Sequence, residues 1–255
     1  MEMTQPLVSL FVFFFMFITA HARGNVIRVG ALLPRDRKWP FAERYMMPAA
    51  RFATQHIQNT LLPNAKFEIV LSNRDTQCNE MHGMNHAINY FIEGNVSAFF
   101  GPTCDFVAAP VARQVTFWNK PMISVGAWAR DFMTEKATLF PLLTRAGTTN
   151  LHILADAVVK VMRHNQWSTL KLIYDRHAFS EINPDFCHLC TSSLVYGIPD
   201  LPEGGAIKLD YFKFPATGLD VTSLLRDEIG IKYSSKINKN THDDVISFIP
   251  LSTTH

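Results

Sequence analysis

Residues whose types and spacing could support chemistry are concentrated in two short stretches of this sequence. The first is the turn Thr103-Cys104-Asp105, and the second is Cys187-His188-Leu189-Cys190. The C-x-x-C spacing of the second stretch permits a redox pair, half of a metal site completed by His177 or His188, a local disulfide, or two unpaired thiols. One such pair without a second is weak support for zinc, so a local disulfide or an unpaired thiol is the favoured interpretation.

The Thr103 turn lies between elements that can position it. The stretch from Ala98 to Trp128 contains an apolar run ending in Gly101-Pro102, an Ala/Val-rich helical pattern and a second apolar run beginning at Met122. This order predicts a βαβ crossover, in which the carboxyl ends of parallel strands form the rim that binds ligands. We therefore expect a ligand site at the Thr103 turn.

Strand and helix patterns alternate along the rest of the chain. The predicted strands are Val26–Leu33, Lys66–Leu71, Ala98–Phe100, Met122–Val125, a short run at Phe140–Leu143, Leu170–Tyr174 and Ile207–Phe214. The predicted helices include one with Met46, Ala50, Ala53 and Ile57 on one face, Glu80–Ile92, one from Leu151 to Met162 capped by Thr148 or Thr149, Cys187–Val195 and Asp220–Glu228. This alternation predicts the α/β class with parallel sheets, and we place a lobe boundary near Gly147.

Composition excludes several classes of function. The chain has 255 residues, of which 47% are hydrophobic and 18% charged, as expected for a globular protein. Its net charge is +2, and its basic residues form no stripe along the sequence. Neither a nucleic acid nor an anionic membrane is therefore an expected partner. No G-x-S-x-G, H-E-x-x-H, P-loop or dinucleotide fingerprint is present, so we do not expect an enzyme.

The two ends of the sequence differ in character from the rest. Leu7–Ile18 is almost wholly apolar and is followed by Ala20-His21-Ala22, which predicts a signal peptide over residues 1–22. An uncleaved anchor is the alternative, but this run is shorter than the roughly 20 residues that a spanning helix needs. The mature chain is therefore expected on the extracellular side, in an oxidising compartment. Residues 234–255 are polar and predict an irregular tail.

Several motifs of the central stretch are specific to one receptor family. They are Gly101-Pro102-Thr103-Cys104-Asp105-Phe106, Ala108-Ala109-Pro110-Val111-Ala112-Arg113, Trp118, Pro121-Met122, Gly126-Ala127, Thr144-Arg145-Ala146-Gly147 and His164-Asn165-Gln166-Trp167. With these motifs the chain resembles the natriuretic peptide receptors and related receptor guanylate cyclases. The resemblance implies a type I periplasmic-binding-protein (Venus-flytrap) fold, with a first lobe over residues 23–147 and a partial second lobe over residues 148–233.

The resemblance also implies a function. The chain would be a peptide-hormone-binding module at the extracellular face of a membrane receptor, homodimeric in the full-length receptor, whose cyclase domain is absent from this chain. Two alternatives remain: a type I module for a small amino-acid-like ligand, and a partial gene product without independent activity, because the second lobe stops after about two strands.

The resemblance assigns roles to individual residues. It implies a first-lobe disulfide between Cys78 and Cys104, in agreement with their placement at the starts of helices that follow neighbouring strands, at one edge of the predicted sheet. It also implies a chloride ion near this disulfide, held by Ser72, Thr103 and Cys104, although the neighbouring Asp105 would oppose an anion. No other cofactor is expected.

Hormone contacts are the remaining implication, and one modification is also predicted. By position the candidate contacts are Glu80, Phe106, Arg113, Phe140, Tyr174, Phe212 and Phe214. Phe106 and Phe140 stand where the peptide receptors have tyrosines, and this departure weakens the case for a hormone of the vertebrate type. The sequence Asn95-Val96-Ser97 predicts N-glycosylation at Asn95.

Overall fold

The computed structural model describes residues 25–61, 67–94, 96–147 and 149–214, with three isolated positions at 223, 226 and 227. The predicted signal peptide, Asn95, Thr148, most of the helix predicted at Asp220–Glu228 and the predicted tail lie outside the described residues. No helix among the described residues is both long and apolar enough to cross a membrane.

Strands and helices alternate along the described chain. The elements are β1 (Asn25–Leu33), α1 (Glu43–His56), β2 (Phe67–Asp75), α2 (Glu80–Ile92), β3 (Ala98–Phe100), α3 (Asp105–Phe117), β4 (Met122–Ser124), α4 (Asp131–Thr134), β5 (Leu143–Arg145), α5 (Leu151–His164), β6 (Thr169–Tyr174), α6 (Phe186–Asp200) and β7 (Lys208–Lys213). All strand pairs are parallel, in a five-stranded sheet of order β2-β1-β3-β4-β5 and a two-stranded sheet of β6 and β7. The α/β prediction is confirmed.

The strand order changes one expectation about the first sheet. The helices that begin near Cys78 and Cys104 follow β2 and β3, and these strands are not neighbours because β1 lies between them. Strand β2 also extends four residues beyond the predicted end at Leu71, since its pairing with β1 continues to Leu33 opposite Asp75. The loops after β2 and β3 therefore face each other across the end of β1.

Side-chain caps explain where two of the helices begin. Asn79 caps α2 by accepting hydrogen bonds from the backbone N–H groups of Met81 and His82, at 2.9 and 3.3 Å. The cap of α5 is Asn150, whose Oδ1 accepts from the N–H of His152 at 2.9 Å. The prediction of a threonine cap one or two residues earlier was wrong, because the amide of Asn150 is the group that reaches the first turn.

Each lobe has its own apolar core. In the first lobe the sheet packs against α3, with Phe99, Met122 and Leu143 buried among helix residues such as Val111. In the second lobe α5 and α6 pack on β6, and the side chains of Met162, Leu170 and Ile198 are wholly buried between them. At the carboxyl edge of each sheet, the surface is formed by the loops that follow the strands.

Candidate ligand-binding site

A disulfide links two loops at the carboxyl edge of the first-lobe sheet. Cys78 and Cys104 are bonded, with their Cα atoms 5.6 Å apart, which is the pairing that the family resemblance implies. Because β1 lies between β2 and β3, the bridge crosses the end of β1. It holds the first turns of α2 and α3 side by side.

The turn after β3 is also fixed from its other side. Ser124 Oγ donates to the carbonyl of Pro102 at 2.6 Å and accepts from the N–H of Gly126 at 3.0 Å. A Cβ atom at position 126 would lie 1.8 Å from the Thr103 carbonyl oxygen, so the loop after β4 can approach this turn only with glycine. The Thr103 turn is therefore positioned by β3, by β4 and by the disulfide.

Four aromatic side chains run from the disulfide into the second lobe, and we call them the aromatic chain. Trp39 stacks on Phe41 with centroids 5.9 Å apart, Phe41 meets Trp128 edge-on at 6.4 Å, and Trp128 meets Phe186 edge-on at 6.0 Å. Trp39 and Phe41 follow β1, Trp128 follows β4, and Phe186 begins α6. Sequence reasoning missed this cluster, although bulky aromatic residues in predicted loops were a usable signal.

A buried carboxylate joins the two lobes beside the aromatic chain. Asp105 is 3% exposed and accepts hydrogen bonds from the N–H of Ala129 at 2.7 Å and from Asn183 Nδ2 at 2.6 Å. Asn183 belongs to the loop after β6 and is itself wholly buried. Burial raises the pKa of Asp105 to about 6, against the lowering effect of these hydrogen bonds. A second contact between the lobes is the ion pair of Arg130 with Asp200.

An open groove lies where loops of the two lobes face each other, and we call it the between-lobe groove. Its volume is about 470 Å³. The first lobe contributes Arg37, Lys38, Pro40 and Tyr45, and the second contributes Glu181 and Ile182. The carboxyl edges of parallel sheets are where α/β proteins bind ligands, so this groove is the candidate site. Its lining offers charges of both signs and one half-exposed aromatic ring.

Two predicted contact residues lie together at the same edge. Glu80 and Phe106 each follow a cysteine of the disulfide by two residues, and both are exposed. Arg113 lies two turns further along α3, with its guanidinium carbon 5.5 Å from the centre of the Phe140 ring. Glu80 and Phe106 are therefore available to a ligand at the disulfide end of the first lobe.

Phe140 is a core residue, so its assignment as a ligand contact was wrong. It is 1% exposed and packs against Phe132, with ring centroids 4.8 Å apart. Strand β5 begins three residues later than predicted, at Leu143, which places Phe140 in the turn that closes the first-lobe core. The ring of Phe140 stabilises the fold and supports the side chain of Arg113.

The three predicted contacts of the second lobe do not form one surface. Tyr174 is 6% exposed, and its hydroxyl lies 3.3 Å from His188 Nδ1 on α6. Phe212 pairs with Ile173 in the sheet and therefore points to the opposite face from Tyr174. Phe214 contacts Phe212, with ring centroids 6.5 Å apart. Tyr174 and the Phe212–Phe214 pair therefore cannot contact one ligand from the same face of this sheet.

Two of the residues predicted to hold chloride, Thr103 and Cys104, are adjacent in one turn, and the third, Ser72, lies apart from them. Ser72 is paired with Gly30, which is paired with Phe99, so Ser72 lies two strand spacings, or about 10 Å, across the sheet from β3. Its hydroxyl is 3.1 Å from the Tyr90 hydroxyl. Thr103 Oγ1 is buried without a hydrogen-bond partner among the described residues, which suits an anion. The Asp105 carboxylate, however, already places a negative charge at the start of α3, so the residues present do not fit a bound chloride.

Exchange of the anion in the buffer tests this conclusion. When sodium chloride is replaced by sodium gluconate at the same ionic strength, we expect no change in the melting temperature of the chain. The physical reason is that the Asp105 carboxylate takes the place of an anion beside the helix N-terminus. A melting temperature that rises with chloride concentration along a saturation curve would instead support a bound ion. Differential scanning calorimetry makes the measurement.

The second pair of cysteines is free in the structure. Cys187 and Cys190 are both unpaired thiols, which was one of the interpretations left open by the sequence. Burial raises the pKa of Cys187 to about 11 and that of Cys190 to about 12. Thiolates are the reactive and metal-binding form, so these values argue against redox or metal chemistry at this pair. The described residues contain no group of three or more His, Cys, Asp or Glu side chains that could hold a metal ion.

Thiol labelling checks the state of this pair. In the folded chain at neutral pH, Ellman's reagent is expected to react with Cys187 and Cys190 at least about tenfold more slowly than in denaturant, because burial disfavours the thiolate. The count of thiols released in denaturant without a reductant is expected to be two, matching the free cysteines. Fast labelling of the folded chain would contradict this assignment.

Two parallel-sheet lobes whose carboxyl edges meet at a groove define a type I periplasmic-binding-protein module. A solute-binding protein of an ABC transporter from Rhodopseudomonas palustris HaA2, solved with p-hydroxybenzoic acid, has a similar fold. The TM-score is 0.54 at 15% identity, and the alignment covers 89% of this chain and 54% of that chain. The model of the family described as "receptor family ligand binding region" matches residues 45–187, more than half of this chain. The chain belongs to this family of receptor ligand-binding regions.

Its curated relatives are hormone receptors and receptor cyclases. Atrial natriuretic peptide receptor 3 of Mus musculus is 28% identical over 154 residues, which is 58% of this chain and 28% of the relative. Atrial natriuretic peptide receptor 2 of Anguilla japonica is 31% identical over 170 residues, which is 63% of this chain and 16% of the relative. Receptor-type guanylate cyclase gcy-8 of Caenorhabditis elegans is 30% identical over 99 residues, which is 38% of this chain and 8% of the relative. The matched part is therefore less than a third of each of these relatives.

Proposed function

We propose that this chain is a peptide-hormone-binding module of a natriuretic-peptide-receptor-like receptor, that it acts on the extracellular side of the membrane, and that it binds its ligand without catalysis. The similarity to natriuretic peptide receptors supports a peptide as the ligand. The observation that carries the proposal is the between-lobe groove, which is open and is lined by long charged side chains from both lobes. A small amino-acid-like ligand needs a site that encloses it, whereas an extended peptide can lie along an open groove.

The exposed Phe106 supplies the test of this proposal. A fluorescently labelled natriuretic-type peptide is titrated against the full chain, and Phe106→Ala is expected to weaken binding about tenfold, as loss of an aromatic anchor does. The matched control is Phe52→Ala, which removes an exposed aromatic ring from a different helix, α1. Equal affinities for the two variants would contradict the role of Phe106 as a hormone contact, and failure of the unmodified chain to bind the peptide would contradict the proposal. Saturable binding of free amino acids without peptide binding would favour the small-ligand alternative.

We further propose that the chain pairs with a second copy through the ends of α2 and α3. Phe91 stacks on Trp118 at 4.5 Å, while the neighbouring Ile92 and Phe117 are 74% and 84% exposed. Contiguous exposed apolar side chains mark protein contact surfaces. The resemblance to receptors that act as homodimers points to a second copy as the occupant.

Light scattering coupled to size exclusion tests the dimer. The unmodified chain is expected to show twice the monomer mass at micromolar concentration. The double variant Ile92→Asp/Phe117→Asp is expected to be monomeric, because it places charges in the apolar patch. The control Phe52→Asp introduces a charge at an exposed ring elsewhere and should remain dimeric. A chain that is monomeric without substitution would refute the proposal.

A further inference from the structure

Four arginines line one side of a groove on the first lobe, and we call it the arginine groove. It is formed by Arg35 and Arg37 from the loop after β1 and by Arg44 and Arg51 from α1, and its volume is about 620 Å³. Arg44 and Arg51 are seven residues apart in the helix and so lie on the same face, two turns from each other. The loop then adds its two guanidinium groups at one end of this helix face.

The positive charge of the arginine groove is largely unbalanced. Glu43 is the acidic residue that lines it, and its carboxylate pairs with Arg35 Nε at 3.1 Å. Arg37, Arg44 and Arg51 form no ion pair with any residue in the part of the chain that the structure describes. Guanidinium groups bind carboxylates through paired hydrogen bonds, so the groove is suited to acidic side chains.

The remaining lining indicates what kind of acidic partner fits. Pro48 of α1 also lines the groove and is exposed beside the buried Met47, so the surface has an apolar part between the arginines. A polymer that is anionic at every unit, such as a sulfated polysaccharide, has no apolar side chain to place over Pro48. A peptide can place acidic side chains at the arginines and an apolar side chain over Pro48, and it can leave a neutral residue beside Glu43.

We propose that the arginine groove binds an acidic peptide segment that also carries apolar side chains. This site goes beyond the proposed hormone site, which is the between-lobe groove and the exposed Phe106. Arg37 lines both grooves, whereas Arg35, Arg44 and Arg51 do not line the between-lobe groove. Arg44 and Arg51 therefore report on the arginine groove. Because Arg44 also lies over the ring of Tyr45 at 5.8 Å, binding of the natriuretic-type peptide is measured on the same variant, so that an effect on the between-lobe groove is seen separately.

The experiment measures fluorescence anisotropy of a short labelled peptide that alternates glutamate with leucine, titrated with the full chain at low salt. Saturable binding is expected, and the double variant Arg44→Gln/Arg51→Gln is expected to weaken it about tenfold, since two charge-assisted hydrogen-bonding groups are lost. The control is Lys160→Gln/Arg163→Gln, which removes the same charge from exposed positions on α5 and should change the affinity less than about twofold.

Two further probes separate the class of ligand. The same peptide with glutamine in place of glutamate should not bind, because the groove recognises carboxylates. A heparin-derived oligosaccharide should bind weakly and equally to the double variant and to the control. The proposal is overturned if the acidic peptide does not bind, if the double variant and the control bind it equally, or if the oligosaccharide is the ligand that Arg44 and Arg51 select. Circular dichroism confirms that the variants are folded, which their exposed positions on α1 lead us to expect.

Discussion

Removal of the Cys78–Cys104 disulfide is expected to lower the free energy of unfolding by about 3–4 kcal/mol. The bridge joins positions 26 residues apart and restricts the unfolded chain. In the folded chain it also fixes the loops after β2 and β3, against which Trp39 and Val107 pack. Urea unfolding of Cys78→Ala/Cys104→Ala, monitored by circular dichroism, measures the loss.

The free cysteines supply a control for this measurement. Cys190→Ser removes a thiol that forms no bridge, and it is expected to cost much less than the loss of the disulfide. A reductant should destabilise the unmodified chain and leave the Cys78→Ala/Cys104→Ala variant unchanged. If the reductant has the same effect on both chains, the disulfide does not contribute to stability as described here.

The second large effect is expected at Asp105, where Asp105→Asn should raise the free energy of unfolding at pH 7. Burial raises the pKa of this carboxyl from its ordinary value near 3.8 to about 6. Keeping the group ionised in the folded chain at neutral pH therefore costs about 3 kcal/mol relative to the unfolded chain. An asparagine carries no charge and can still accept from the N–H of Ala129. The buried Asn183 Oδ1 lacks a partner among the described residues. If the side-chain amide of Asn183 turns by half a rotation, this oxygen can accept a hydrogen bond from the amide of the new asparagine.

The sign of the pH dependence follows from the two pKa values. Between pH 4 and pH 6 the folded chain retains a proton on Asp105 that the unfolded chain has lost, so raising the pH through this window lowers the stability of the unmodified chain. Asp105→Asn should lack this part of the slope. Urea unfolding of both chains across this pH range measures the difference, and Asp131→Asn, at an exposed carboxylate, is the control. Parallel stability curves for the unmodified chain and Asp105→Asn would contradict the assignment.

The Asp105–Asn183 contact also bears on how the lobes could respond to a ligand. Asp105 begins the helix that carries Phe106, and Asn183 lies in the loop whose neighbours Glu181 and Ile182 line the between-lobe groove. A ligand that shifts this loop would strain a buried hydrogen bond between the lobes. The position of the second lobe is therefore linked to the same helix that presents the candidate hormone contact.

Local sequence patterns were sufficient for most elements of this fold. The helix Glu80–Ile92 and the strand Ala98–Phe100 have the predicted bounds, because their apolar periodicity and their flanking Asn79 and Gly94 are local signals. The Cys78–Cys104 pairing came from the family resemblance and agrees with the structure. Where a strand ends depends on its partner, so the extension of β2 to Asp75 was not visible in its own residues.

The sequence by itself determined the class of the protein: its α/β alternation, its receptor family and the identity of the turn at Thr103. Only the tertiary structure decided which distant side chains meet. It placed Phe140 in the core, joined Asp105 to Asn183 across the lobes, and gathered into one groove four arginines that form no basic run along the chain. The physical reason is that periodicity reports how each segment is buried, whereas strand order and loop packing set which segments become neighbours.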